Sequence, residues 1–151
     1  MKILSIICLI AMVSCTTRGP ASLNGHPVAY DSAALGNLQA SATKRMDKQD
    51  VCFDINLHLT GAQQQEVLPA NWTVAWVDQQ DHFHLLNVSS REPASTPQGG
   101  QVVAPYGAYQ EWKNQFTTCA PKANFNDVKT LVLTPKEMPF AGNNQIHLTW
   151  Q

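Results

Sequence analysis

The stretch Val51-Cys52-Phe53-Asp54-Ile55-Asn56-Leu57-His58-Leu59-Thr60 decides the fold. Val51, Phe53, Ile55, Leu57 and Leu59 alternate with Cys52, Asp54, Asn56, His58 and Thr60. Successive side chains of a strand point to opposite faces, so a period of two marks a strand with one core face and one solvent face. Downstream, Trp72, Val74 and Trp76 alternate with Thr73 and Ala75 as a second strand. Asp78-Gln79-Gln80-Asp81 reads as its turn and His82 to Val88 as the returning strand. A Ser/Pro/Gly loop follows, ending in Gly99-Gly100. Gln101 to Ala104 and Tyr109 to Thr118 flank Pro105-Tyr106-Gly107, Val128 to Thr134 stops at Pro135, and Ile146, Leu148 and Trp150 make a last strand. About seven short strands with turn signals between them predict an all-β domain over 50–151, an immunoglobulin-like β-sandwich or a flattened barrel.

Upstream the period disappears. Residues 16–49 are rich in Thr, Ser, Gly, Ala and Gln, and are expected to be a flexible tether in front of the domain. Leu35, Leu38, Ala42 and Met46 fall near a helical stripe, but Gly36 interrupts it. The alternative is a segment that orders against a partner through its few apolar anchors.

Composition narrows the function. The 151 residues hold 10 Lys and Arg and 11 Asp and Glu, so 14% are charged and the formal net charge is −1. Glutamine (13) and asparagine (10) together outnumber the charges. A nucleic-acid binder needs a basic patch to displace counterions from phosphate, so nucleic acid is excluded as a partner.

Lys2 precedes a mostly apolar run, Ile3 to Val13, which is far shorter than the roughly 20 residues of a membrane span and suits a signal-peptide core. It ends in Met12-Val13-Ser14-Cys15. These residues resemble the cleavage box of a bacterial lipoprotein precursor, with Met12 where that family usually has Leu. The resemblance covers the first 15 residues. It implies a signal peptide over 1–14, acyl chains such as palmitate on Cys15, and a lipidated N-terminus and tether over 15–49. Thr16 is not the Asp that the family uses for inner-membrane retention, so the implied address is the outer membrane, facing the periplasm. Several acyl chains give stable anchoring where one is marginal.

Of four cysteines, Cys8 would leave with the signal and Cys15 would carry lipid. Cys52 and Cys119 then remain as a pair free to oxidise in the periplasm. With Trp72 and Trp76 between them, they superficially suggest an immunoglobulin disulfide. However, Cys52 lies on the polar face of its strand, and Thr117 stands where the tyrosine corner needs Tyr. The pair is therefore expected to pin a strand start to a strand end, near the surface or a sheet edge.

Catalytic patterns are missing. There is no Gly-x-Ser-x-Gly elbow, no metalloprotease helix and no spacing of carboxylates for a glycosidase pair, so the chain is expected not to be an enzyme and to need no cofactor. Asp78, Asp81, His82 and His84 form the densest polar constellation. Alternate histidines on a strand can chelate a metal, but no third ligand is fixed, and the plainer reading is a hairpin turn. Trp72, Trp76 and Trp150 are expected in the core. Tyr106, Tyr109 and Trp112, broken by Pro105 and Gly107, are the candidate exposed interaction cluster. The expected role is a non-catalytic, membrane-anchored interaction or assembly module that docks onto another envelope protein, as an accessory subunit of an envelope or secretion complex would. The alternative is a β-domain that binds a glycan or small ligand, or inhibits a hydrolase.

Overall fold

The computed structural model describes residues 21–23, 26–61, 64–88, 97–136 and 144–150. Among them are ten strands: β1 (Ala21–Leu23), β2 (His26–Leu35), β3 (Leu38–Asp47), β4 (Asp50–Thr60), β5 (Trp72–Val77), β6 (Phe83–Leu86), β7 (Gln98–Ala104), β8 (Gly107–Ala120), β9 (Thr130–Pro135) and β10 (Ile146–Thr149). All pair antiparallel. One sheet has the order β1-β2-β3-β4-β8-β7 and the other β10-β9-β5-β6. The protein is an all-β sandwich, and the seven strands expected from alternation are all present.

The boundary expected at residue 50 is corrected. Most of 15–49 is not a tether but the β2–β3 hairpin, which pairs along its full length and continues onto β4. Gly36 does not interrupt a helix; it leads the two-residue loop between Leu35 and Leu38 at φ 58°, where glycine carries no steric cost. Residues 1–20, with Cys15 and the signal, lie outside the described residues.

The core forms because β4 keeps Val51, Phe53, Ile55, Leu57 and Leu59 on one face, each at most 3% exposed. They meet Trp72 and Val74 of β5, Leu131 and Leu133 of β9, and Ile146 and Leu148 of β10 within one apolar cluster. Trp150 is buried too, its ring stacked 5.7 Å from that of Phe53. Trp76 is half-buried against the same cluster. Two polar ties close the flanks. The Thr149 N–H donates to Asp31 Oδ2 at 2.7 Å, joining β10 to β2, and the Thr118 hydroxyl donates to the Asn87 carbonyl at 3.1 Å, joining β8 to the end of β6.

Cys52 and Cys119 face each other across β4 and β8 with Cα atoms 4.0 Å apart and form a disulfide. It lies on the outer face of the sheet, joining a strand start to a strand end as expected. Both strands are internal to the six-stranded order, so of the two expected placements the sheet edge is excluded, and Cys119 reaches the surface while Cys52 is buried. An immunoglobulin disulfide bridges two sheets, whereas this one stays within one sheet. It closes a separation of 67 residues. Replacing both cysteines by serine should lower stability by roughly 4 kcal/mol on the chain-entropy model, read in urea unfolding, with the β spectrum retained.

Lys44 breaks the apolar inner face of β3. It is 4% exposed, opposite Phe53, and its Nζ donates to the carbonyls of Phe125 (3.1 Å) and Val128 (2.9 Å). The rings of Phe125 and Trp150 lie 4.2 and 5.1 Å from it. Burial lowers this ammonium from 10.5 to about 8. Between those values the unfolded chain holds a proton that the folded chain has released, so stability rises with pH across that window. Raising pH from about 7.5 to 9.5 should add up to about 2 kcal/mol to unfolding in urea. Lys44→Met should flatten the rise; an equal rise in that variant would refute the assignment to Lys44.

Candidate functional site

The β7–β8 hairpin reaches past the sandwich. β4 pairs with β8 only as far as Thr60 opposite Glu111, with one more bond from the Gly61 N–H to the Gln110 carbonyl. Beyond this, β8 is paired by β7 alone, with Val102 opposite Tyr109, Val103 opposite Ala108 and Ala104 opposite Gly107. The outcome is a two-stranded ribbon with an apolar, exposed tip. Tyr106 is fully exposed at the turn, Val103 is 82% exposed and Tyr109 is 42% exposed.

The expected aromatic cluster is divided. Tyr109 and Trp112 are three apart on one strand and so face opposite sides of the sheet. Trp112 sits opposite Leu59 on the inner face and packs half-buried against the core. Gly99 makes this possible, because a Cβ there would run into the Glu111 carbonyl and the Trp112 ring. Tyr106 and Tyr109 therefore remain as surface residues, and Trp112 is corrected to a support for the base of the ribbon.

His82 and His84 do converge, but on a carboxylate. Asp78 Oδ2 lies 3.2 Å from His82 Nδ1 and 3.0 Å from His84 Nε2. Its other oxygen, Oδ1, accepts from the Gln80 and His82 N–H groups, each at 2.9 Å, which stitches the β5–β6 turn closed. His82 belongs to that turn and not to β6, so the two histidines do not form an alternating strand pair. The His84 ring stacks on Trp76 with centroids 4.0 Å apart. The His84 contact, followed by the backbone N–H bonds, holds the Asp78 carboxyl well below the usual carboxylate range. Asp81, in the left-handed region at φ 63°, pairs with Lys129 at 2.7 Å. Among the described residues no group of three or more His, Cys, Asp or Glu could hold a metal ion.

Two charge networks lie on the outer face of the six-stranded sheet, and neither was visible in the sequence. Arg45 Nε donates to Asp54 Oδ2 at 2.7 Å, and the Thr117 hydroxyl donates to Asp54 Oδ1 at 2.7 Å. Burial pushes Asp54 up, but Arg45 and Thr117 outweigh it and hold the carboxyl below its ordinary value. Nearer β7, Lys113 Nζ lies 2.7 Å from Glu111 Oε1, and its bond lowers the Glu111 carboxyl. His58 Nε2 is also 2.7 Å from that oxygen, in ion-pair reach but out of line for a hydrogen bond.

Asp78→Ala should loosen the β5–β6 turn, because the Gln80 and His82 amides lose their acceptor. Their hydrogen exchange should accelerate at least several-fold while β4 amides stay unchanged; unchanged turn exchange would refute the stitch. Comparison of the chain with protein-family models, curated proteins and solved structures finds no match in any of the three.

Proposed function

We propose that this chain is a non-catalytic lipoprotein of the outer membrane, held by acyl chains on Cys15 and facing the periplasm. Its β-sandwich docks onto another envelope protein through the β7–β8 ribbon. The observation that carries the docking is the apolar tip itself. Val103, Tyr106 and Tyr109 stand in solvent on a projecting ribbon that the core does not use. Aromatic side chains on such a projection supply large contact area with little side-chain freedom to lose, the chemistry of an interface anchor. The Met12-Val13-Ser14-Cys15 box supports the anchor, and the export it implies agrees with a Cys52–Cys119 disulfide, which needs an oxidising compartment. The disulfide also removes both cysteines of the sandwich as thiol nucleophiles.

A photo-cross-linking residue at Tyr106, in cells, should give one protein adduct of fixed mass. The same residue at His147, on the far sheet, should give none. Tyr109→Ala should abolish the adduct without altering the urea midpoint. Equal cross-linking from both positions would overturn the docking surface. Cys15→Ala should move the protein from the membrane fraction to the soluble periplasm, and unchanged fractionation would overturn the anchor.

A further inference from the structure

The outer face of the six-stranded sheet is a trough, and its chemistry differs from that of the ribbon. Three adjoining depressions, of about 520, 410 and 350 Å³, run across it. Asn56 and His58 are shared by the first two, and Gln98 and Lys113 by the first and third, so the three form one continuous path. The register explains the continuity. Ser32 of β2, Ser41 of β3, Asn56 of β4 and Gln115 of β8 stand in one cross-strand row. Gln39, His58, Lys113 and Gln98 stand in the next. From β2 to β7 the path crosses four strand spacings, about 19 Å. Tyr30, 65% exposed, lines the β2 end. At the β7 end Gly100 faces Glu111, and a Cβ placed on it would meet nothing within 4 Å, so the path runs out over the sheet edge unobstructed.

From this arrangement we infer that the trough binds a neutral oligosaccharide. The acidic and basic side chains lining the trough, Glu111 and Lys113, pair with each other, and beside it Asp54 pairs with Arg45. Neither a phosphate nor a carboxylate ligand finds an uncompensated cation there. What the trough offers are amides and hydroxyls from Asn56, Gln115, Gln98, Gln39, Ser32 and Ser41, which both donate and accept. Sugar hydroxyls have that same dual capacity, and the exposed Tyr30 ring supplies an apolar face for one sugar ring. A peptide is less well matched over the middle of the face, where the backbone groups of β3, β4 and β8 are spent on both neighbours; at the free edge of β7 it remains an outcome of the test. The trough reaches the base of the ribbon at Gln101 and Val102, while the exposed tip at Val103 and Tyr106 takes no part in it.

The test is a titration of the full chain, solubilised in a non-glycosidic detergent and followed by the side-chain amide signals of its Asn and Gln residues. The probes are chitotetraose and maltotetraose as neutral tetrasaccharides, a tetragalacturonate as the acidic control, and an apolar octapeptide. At least one neutral sugar should shift the signals of Asn56, Gln115 and Gln98 and leave those of Gln79 and Asn126, away from the trough, unmoved. Asn56→Ala combined with Gln115→Ala should weaken it roughly tenfold. Ser41→Trp, filling the depression between β2 and β4, should abolish the shift of Asn56. Should Ser41→Trp fail to fold, judged by its urea midpoint, the double variant decides. No shift with either neutral sugar, stronger binding of the acidic sugar or the peptide, or unchanged affinity in the double variant would overturn the inference. Loss of the Tyr106 cross-link with sugar binding intact would instead count against the docking reading alone.

Discussion

Everything in the sandwich depends on the register between β4 and β8. Val51 opposite Ala120, Ile55 opposite Phe116 and Leu59 opposite Trp112 put one contiguous apolar surface toward the second sheet. A slip of one residue would turn that whole set to solvent and bring Asp54, Asn56 and His58 inward. Such a slip is costly on its own account, since each of the buried leucines and isoleucines contributes on the order of 1.5–3 kcal/mol through burial. The Cys52–Cys119 bond adds a covalent pin at one end of the same ladder, so the register is specified twice. Both surfaces assigned a role follow from it. The length of β8 beyond Glu111 makes the ribbon, and the alignment of Asn56 with Gln115 makes the trough.

How far this was legible depends on what each strand buries. β4 was readable because its inward residues are all large and apolar, and β5 and β10 for the same reason. β3 was not. Its inward positions are Leu38, Ala40, Ala42, Lys44 and Met46, and two alanines and a lysine give no alternation of hydropathy. Lys44 is tolerated there only because two carbonyls and two rings from distant parts of the chain receive its ammonium. β2 is still less visible, with Ala29, Asp31 and Ala33 inward, and Asp31 is spent on bonding the end of β10. Small and polar residues at a closing flank look like a linker when read along one strand.

The candidate sites divide in the same way. Tyr106 and Tyr109 stood out because turn residues break the pattern around them, and local signals of that kind survive in a single sequence. Trp112 needed the face assignment of β8, which the irregular stretch around Gly107 obscured. The trough was beyond reach for a different reason. Its members come from five strands, and only the pairing of those strands makes a row of Ser32, Ser41, Asn56 and Gln115. Four amides, Gln39, Asn56, Gln98 and Gln115, share that face with charges that neutralise one another, which suits an uncharged ligand better than an ionic one.

In the reading proposed above, attachment rests on a lipid, docking on the ribbon tip, and ligand contact on a sheet face that meets the ribbon only at its base, Gln101 and Val102. The docking claim is central, and amide hydrogen exchange tests it most directly. The measurement compares the protein in native outer-membrane vesicles with the same protein released in detergent. The ribbon amides of residues 101–110 should be protected in the vesicles and exchange rapidly once released, with the strands of the core unchanged. Equal exchange of 101–110 in both states, with protection gained on another surface, would contradict the account.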